Sequence, residues 1–85
     1  MNALNLASGA WDAWMRGERA DAERLAAAAT SALPSTTRRE RQLVEVVRLA
    51  IGGHTALAHD LASEHLSEFP HDALAREVRD ACAPR

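Results

Sequence analysis

The predicted fold is decided by residues 17–34, GERADAERLAAAATSALP, because a segment of the same design follows 36 residues later. That second segment is residues 53–70, GHTALAHDLASEHLSEFP, and it also opens with glycine and closes with proline. The match is informative because the chain has only four Gly and three Pro. Glycine permits the positive φ of a tight turn between helices, and proline cannot continue a helix. The spacing therefore predicts two units, each with a helix, a glycine turn, a second helix and a proline stop.

Small side chains follow each glycine turn at four-residue spacing, which places them on one face of the second helix. They are Ala22 and Ala26 in the first unit, and Ala58 and Ala62 in the second. Small residues on one face let two helices approach closely. The composition agrees with helices, since Ala, Leu, Glu and Arg are abundant while β-branched and aromatic residues are few. A β-sandwich or β-barrel is therefore excluded.

The pattern predicts five helices, near residues 3–16, 18–32, 37–52, 54–68 and 72–82. Thr37 followed by Glu40 is a capping box, so the third helix has the best-defined start. Its apolar residues cover much of its circumference, which predicts burial between neighbours on two sides. The last segment places Leu74, Val78 and Cys82 on one face. We expect it to be a capping helix over the end of a helical stack.

A helix–glycine–helix–proline unit of this length resembles the tetratricopeptide repeat. The matching residues of the two units are Gly17, Ala22, Ala29 and Pro34, and then Gly53, Ala58 and Pro70. The resemblance implies an all-α, right-handed α-solenoid of two antiparallel hairpins plus the capping helix, forming a single domain over residues 1–85. Repeat one would span about 3–35, repeat two about 37–71 and the capping helix about 72–82. His65 stands where this repeat usually has alanine, so the packing there should differ.

A narrower resemblance covers roughly residues 20–78. Residues 37–45, TRRERQLVE, and 64–75, EHLSEFPHDALA, are similar to a stretch found in bacterial members of the tetratricopeptide repeat protein 38-like family. Members of that family are several times longer, which implies a short relative or a fragment. The resemblance implies no defined enzymatic activity.

Charge and hydropathy exclude several partners. The formal net charge is −2, so the chain has no broad basic field for nucleic acid. No apolar run approaches the roughly 20 residues that span a bilayer, and the first residues lack a signal-peptide pattern. A single cysteine cannot form an internal disulfide, which favours a reducing cytoplasm. We expect a cytoplasmic protein with no membrane or nucleic-acid partner.

The reactive residue types lack the spacing that a catalytic or metal site needs. The four histidines are His54, His59, His65 and His71, and no two of them share a helical face at i and i+4. We expect surface or cap histidines. No basic pair or second cysteine flanks Cys82, so it is not expected to be a catalytic thiol. We expect no enzyme activity, no metal and no cofactor.

The best functional signal is apolar, because the first helix of each repeat lines the concave surface in this repeat class. The predicted partner-binding residues are Leu4, Trp11, Trp14, Met15, Leu43, Val47, Arg38 and Arg39. The two arginines, with Arg41, could hold an acidic peptide or phosphate groups, although a solvated helix face is the simpler interpretation. The apolar side chains could instead fill the seam between the hairpins.

Three classes of function remain open. The first is a non-enzymatic interaction module that binds a partner helix or a second copy of itself. The second is a regulatory protein that holds a small hydrophobic ligand. The third is an accessory subunit of an enzyme. The first class is favoured because a stack of two repeats is short and would complete its core by homodimer formation or on a protein partner.

Overall fold

The computed structural model describes residues 2–33 and 37–84, which fold as an all-α chain. The described helices are α1 (Ala3–Met15), α2 (Arg19–Ser31), α3 (Arg38–Ile51), α4 (Thr55–Glu68) and α5 (Ala73–Ala81). Each end lies within one residue of the predicted position. The expected stop at Pro34 falls outside the described residues, whereas Pro70 follows the end of α4 as predicted. None of these helices combines the length and apolar character needed to cross a membrane.

The two glycine turns have the same geometry, as the spacing predicts. Gly17 has φ +79° and Gly53 has φ +87°, in the left-handed region that glycine adopts at little cost. The amide of Glu18 donates to the carbonyl of Ala13 at 2.9 Å. Thirty-six residues later, the amide of His54 donates to the carbonyl of Leu49, also at 2.9 Å. These bonds satisfy carbonyl groups that the helix end leaves without partners.

The helices pack in a regular order. Helices α1 and α2 form one pair, α3 and α4 form a second, and only three residues join the members of each pair. Helix α3 also packs on both helices of the first pair, and α5 packs on both helices of the second. The molecule measures 30 × 28 × 18 Å. We call the two pairs hairpin one and hairpin two.

Small side chains bring the helices together. Ala22 and Ala26 of α2 and Ala58 and Ala62 of α4 are all buried, as their spacing predicts. Helix α3 is the most enclosed helix, because it contacts all four others. Its buried residues are Leu43, Val44, Val46, Val47, Ala50 and Ile51. The prediction that α3 is buried on more than one side is confirmed.

Side-chain caps define two helix starts. The amide of Asn5 donates to Asn2 Oδ1 at 2.8 Å at the start of α1. At the start of α3, the amide of Glu40 donates to Thr37 Oγ1 at 3.3 Å. The Thr37 hydroxyl also donates to the Glu40 carboxylate at 3.2 Å, so the predicted pair of capping residues is confirmed.

Candidate functional site

Four polar side chains meet at the end of hairpin two that lies away from its glycine turn. Arg39 and Gln42 come from the first turns of α3, His65 comes from the last turn of α4, and Asp72 immediately precedes α5. His65 has no exposed surface and Asp72 is 7% exposed. These two are the buried polar residues in the described part of the chain. We call the four side chains the His65 network.

Distances within the His65 network are those of good hydrogen bonds. His65 Nε2 lies 2.6 Å from Asp72 Oδ2, and its Nδ1 lies 2.7 Å from Gln42 Oε1. Arg39 donates through Nε to Asp72 Oδ2 at 2.9 Å and through Nη2 to the second carboxylate oxygen. This two-bond arrangement is the geometry in which a guanidinium binds a carboxylate most strongly. Across residues 2–33 and 37–84, every buried side-chain nitrogen and oxygen has a partner.

The charges of the network explain why a carboxylate can be buried there. Hydrogen bonding from Arg39 lowers the pKa of Asp72, and the bond from His65 adds to that effect against the opposing cost of burial. The same contact raises the pKa of Arg39. Folding lowers the pKa of Asp72, so its ionised form stabilises the fold. This stabilisation is fully present at pH values well above the ordinary aspartate pKa of about 3.9. That stabilisation is lost as the pH falls through the lowered value.

A histidine beside a carboxylate is an arrangement that enzymes use for proton transfer, but this one lacks access to a substrate. A general base must bring a free ring nitrogen within hydrogen-bond reach of the proton it removes. Both ring nitrogens of His65 are engaged, and Phe69 packs beside the ring with the centroids 4.9 Å apart. The network therefore fastens α3, α4 and the start of α5 to one another.

A shallow depression of about 370 Å³ lies on the outer side of the network. Its lining includes Arg39, Glu68, His71 and Asp72. The charges at its rim are already paired, because Asp72 binds Arg39 and Glu68 binds Arg38 at 3.0 Å. An incoming anion would have to compete with a carboxylate for each of these two arginines.

The predicted partner-binding residues separate into buried and exposed groups. Trp11, Leu43 and Val47 are buried, with at most 3% of their surface exposed. Leu4 and Trp14 are half-buried, whereas Met15 is 63% exposed. The predicted apolar concave face therefore does not lie open. Trp11 and Val47 belong to the core that the two hairpins share, which agrees with the alternative that the sequence left open. Leu43 packs instead with Leu66 and Ala75.

The two predicted arginines are both in ion pairs within the chain. Arg39 belongs to the His65 network, and Arg38 binds Glu68 across the gap between α3 and α4. Each guanidinium already has a carboxylate as its counter-charge. A site for acidic peptides or phosphate would need a guanidinium that is not already paired.

An exposed apolar surface remains beside the first glycine turn. Met15, which follows Trp14 in the chain, is 63% exposed, and the guanidinium carbon of Arg19 lies 5.5 Å from the centroid of the Trp14 ring. A depression of about 320 Å³ is lined by Trp14, Gly17 and Arg19. We call Trp14, Met15, Gly17 and Arg19 the turn surface. It contains the exposed part of the predicted apolar stripe.

The sequence identified the turn residues but missed the network. The expectation of a surface or cap histidine holds for the exposed His54 and His71, and it is wrong for His65. The available signal was the 36-residue offset, which aligns His65 with Ala29, a residue that is fully buried. This register favours burial of His65, and a buried imidazole needs hydrogen-bond partners of its own.

Among residues 2–33 and 37–84, the remaining reactive groups do not assemble into a metal site. Cys82 is unpaired and buried, and burial raises the pKa of its thiol, which keeps it protonated. It shares a depression of about 310 Å³ with His59 and Asp60. In the part of the chain that the structure describes, no three His, Cys, Asp or Glu residues are grouped as a metal ion would need.

Comparison with protein-family models, with curated proteins and with solved structures finds no match for this chain. The resemblance to the tetratricopeptide repeat therefore stays a prediction.

Proposed function

We propose that this chain is a non-enzymatic interaction module of tetratricopeptide-like hairpins that binds a protein partner, either a partner helix or a second copy of itself. The observation that carries the proposal is the turn surface, where Met15 is 63% exposed beside the partly buried Trp14. Methionine, tryptophan and arginine, which meet at this turn, are residue types enriched at protein interfaces. Tryptophan and arginine are also the residues that most often dominate binding energy.

The chemistry of the interior supports a binding role over a catalytic one. The His65 network uses both ring nitrogens internally and offers none to a substrate. We further propose a cytoplasmic location, because Cys82 is an unpaired thiol and a reducing compartment maintains that state.

The proposal is tested by Met15→Asp, with Ala27→Asp on α2 as the matched control. Both positions are exposed, and both substitutions lower the net charge by one. Burial of a methionine side chain at an interface contributes about 1.5–3 kcal/mol, which corresponds to roughly tenfold or more in affinity. Sedimentation across micromolar to millimolar concentrations should show wild-type self-association that Met15→Asp weakens by at least about tenfold and Ala27→Asp leaves unchanged.

The sedimentation result separates the two kinds of partner. A wild-type protein that remains monomeric at every concentration contradicts self-association and directs the test to a heterologous partner. A dimer that Met15→Asp does not weaken contradicts the turn surface as its interface.

A further inference from the structure

Helix α5 depends on its docking site for its helical structure. It has nine residues, and isolated helices shorter than about 12–15 residues are marginal in water. Ala75, Val78 and Cys82 form its buried face against α3 and α4. Four residues, 69–72, join it to α4.

Asp72 occupies the N-cap position of α5 but does not cap it. Aspartate at this position normally accepts a hydrogen bond from the first turn of its own helix. Here the side chain makes no such bond, and both carboxylate oxygens bind Arg39 of α3, one of them also binding His65 of α4. Helices α1 and α3, by contrast, have their caps from Asn2 and Thr37.

Asp72 therefore serves the docking of α5 and not the capping of that helix. When α5 is docked, Asp72 holds it to α3 and α4. When α5 is undocked, the carboxylate no longer binds Arg39 and His65, and the nine-residue segment loses the contacts that keep it helical. The docked helix and the undocked segment are the two states of this element.

We propose that α5 is a hinged cap that opens about residues 69–72 while hairpin one stays folded, and that the Arg39–Asp72–His65 contact is the catch that holds it closed. Opening uncovers the surfaces of α3 and α4 that Ala75 and Val78 cover. The catch sits at one end of α5, and the apolar contacts of Val78 and Cys82 hold the rest of the helix.

The chain contains its own reporter of this opening. Cys82 is the single cysteine, it lies at the C-terminal end of α5, and it is 8% exposed. A disulfide reagent can reach it when α5 moves away. The nine residues of α5 separate Cys82 from Asp72 by roughly 15 Å, so a change at Asp72 leaves the intrinsic reactivity of the thiol unaltered.

The experiment compares wild type with Asp72→Asn, and uses Asp21→Asn as the control. Asp21 is an exposed carboxylate on α2 that pairs with Arg24 at 3.4 Å, far from α5 in the chain. Two measurements are made on each protein: the rate at which the disulfide reagent labels Cys82, and amide hydrogen exchange of α5 and of α1.

Asp72→Asn should raise Cys82 labelling and α5 exchange by at least about tenfold, the factor expected for loss of one hydrogen bond between charged groups. Exchange of α1 should stay at the wild-type rate, and Asp21→Asn should change nothing. Unchanged labelling of Cys82, or a parallel rise in α1 exchange, overturns the proposal because α5 would then open only with the whole chain.

A second measurement applies if Asp72→Asn does not fold. In wild type, the labelling rate of Cys82 is followed at increasing urea below the unfolding transition. A hinged cap exposes little surface, so the rate should rise with a shallower urea dependence than global unfolding. Equal slopes overturn the proposal.

Discussion

The two hairpins share one backbone design but are held together differently at the ends away from their glycine turns. In hairpin one, the residues at this end are Ala3, Leu6 and Ala29. The 36-residue offset aligns them with Arg39, Gln42 and His65 of hairpin two. The first set packs through apolar contact, and the second forms hydrogen bonds.

A helical hairpin of this design can end in either apolar or polar side chains, provided that every buried polar group has a hydrogen-bond partner. Apolar side chains can be exchanged for others of similar volume, whereas a buried polar network is stabilising only when each member has its partners. Hairpin two is therefore the more sensitive to single substitutions that remove a partner. Hairpin one is the more sensitive to substitutions that introduce a polar group.

Introducing a histidine into hairpin one, at the position that corresponds to His65, should give the largest loss of stability. Ala29→His puts an imidazole in a fully buried alanine site where Ala3 and Leu6 offer no side-chain polar partner. Overpacking and an unsatisfied ring together should cost about 3–5 kcal/mol in the free energy of unfolding. Urea denaturation followed by circular dichroism measures this cost. A loss below about 1 kcal/mol would show that hairpin one can accommodate the ring.

The reverse substitution, His65→Ala, should have the next largest effect. It removes a fully buried ring and leaves Gln42 without its partner, while Asp72 keeps Arg39. We expect a loss of about 2–4 kcal/mol by the same measurement. His71→Ala is the control, because His71 is exposed and its loss should change stability by less than about 0.5 kcal/mol. Similar losses in both variants would contradict a stabilising role for the network.

Substitution of the turn glycine should reduce stability by the same amount in both hairpins, in contrast to substitutions at the opposite ends of the hairpins. A Cβ at Gly17 or Gly53 would meet nothing within 4 Å, so the cost of Gly17→Ala or Gly53→Ala comes from positive φ alone. Each substitution should lower the free energy of unfolding by about 1 kcal/mol. Thermal unfolding of both variants tests the equality. A much larger loss at Gly53 would mean that the two turns differ in their packing.

The sequence could predict the features that repeat, and it could not predict the feature that breaks the repeat. Gly17, Gly53 and the Thr37–Glu40 cap act through local backbone geometry, which short-range sequence determines. The pairing of Arg39 with Asp72 joins residues 33 apart, and it depends on how α5 packs on α3 and α4. The sequence left open whether Trp11 lies in the core or on a binding surface. Its burial depends on which other helices pack against the apolar face of α1, and this is a property of the tertiary structure.

The smallest effect is expected at Arg38, which the sequence assigns to the same predicted binding site as its neighbour Arg39. Arg38 pairs with Glu68 at 3.0 Å, but 66% of the Arg38 side chain and 40% of the Glu68 side chain are exposed. Water and salt screen such a pair, so Arg38→Ala should cost less than about 0.5 kcal/mol and even less at high salt.

Arg39→Ala should cost several times more, because it leaves the buried carboxylate of Asp72 with His65 as its remaining side-chain partner. A double-mutant cycle of Arg38→Ala with Glu68→Ala measures the coupling in the exposed pair, and Arg39→Ala with His65→Ala measures the coupling within the network. If the exposed pair couples as strongly as the network, burial is not what distinguishes hairpin two. Weak coupling in the exposed pair and strong coupling in the network would place the polar contribution at Asp72, where α3, α4 and α5 meet.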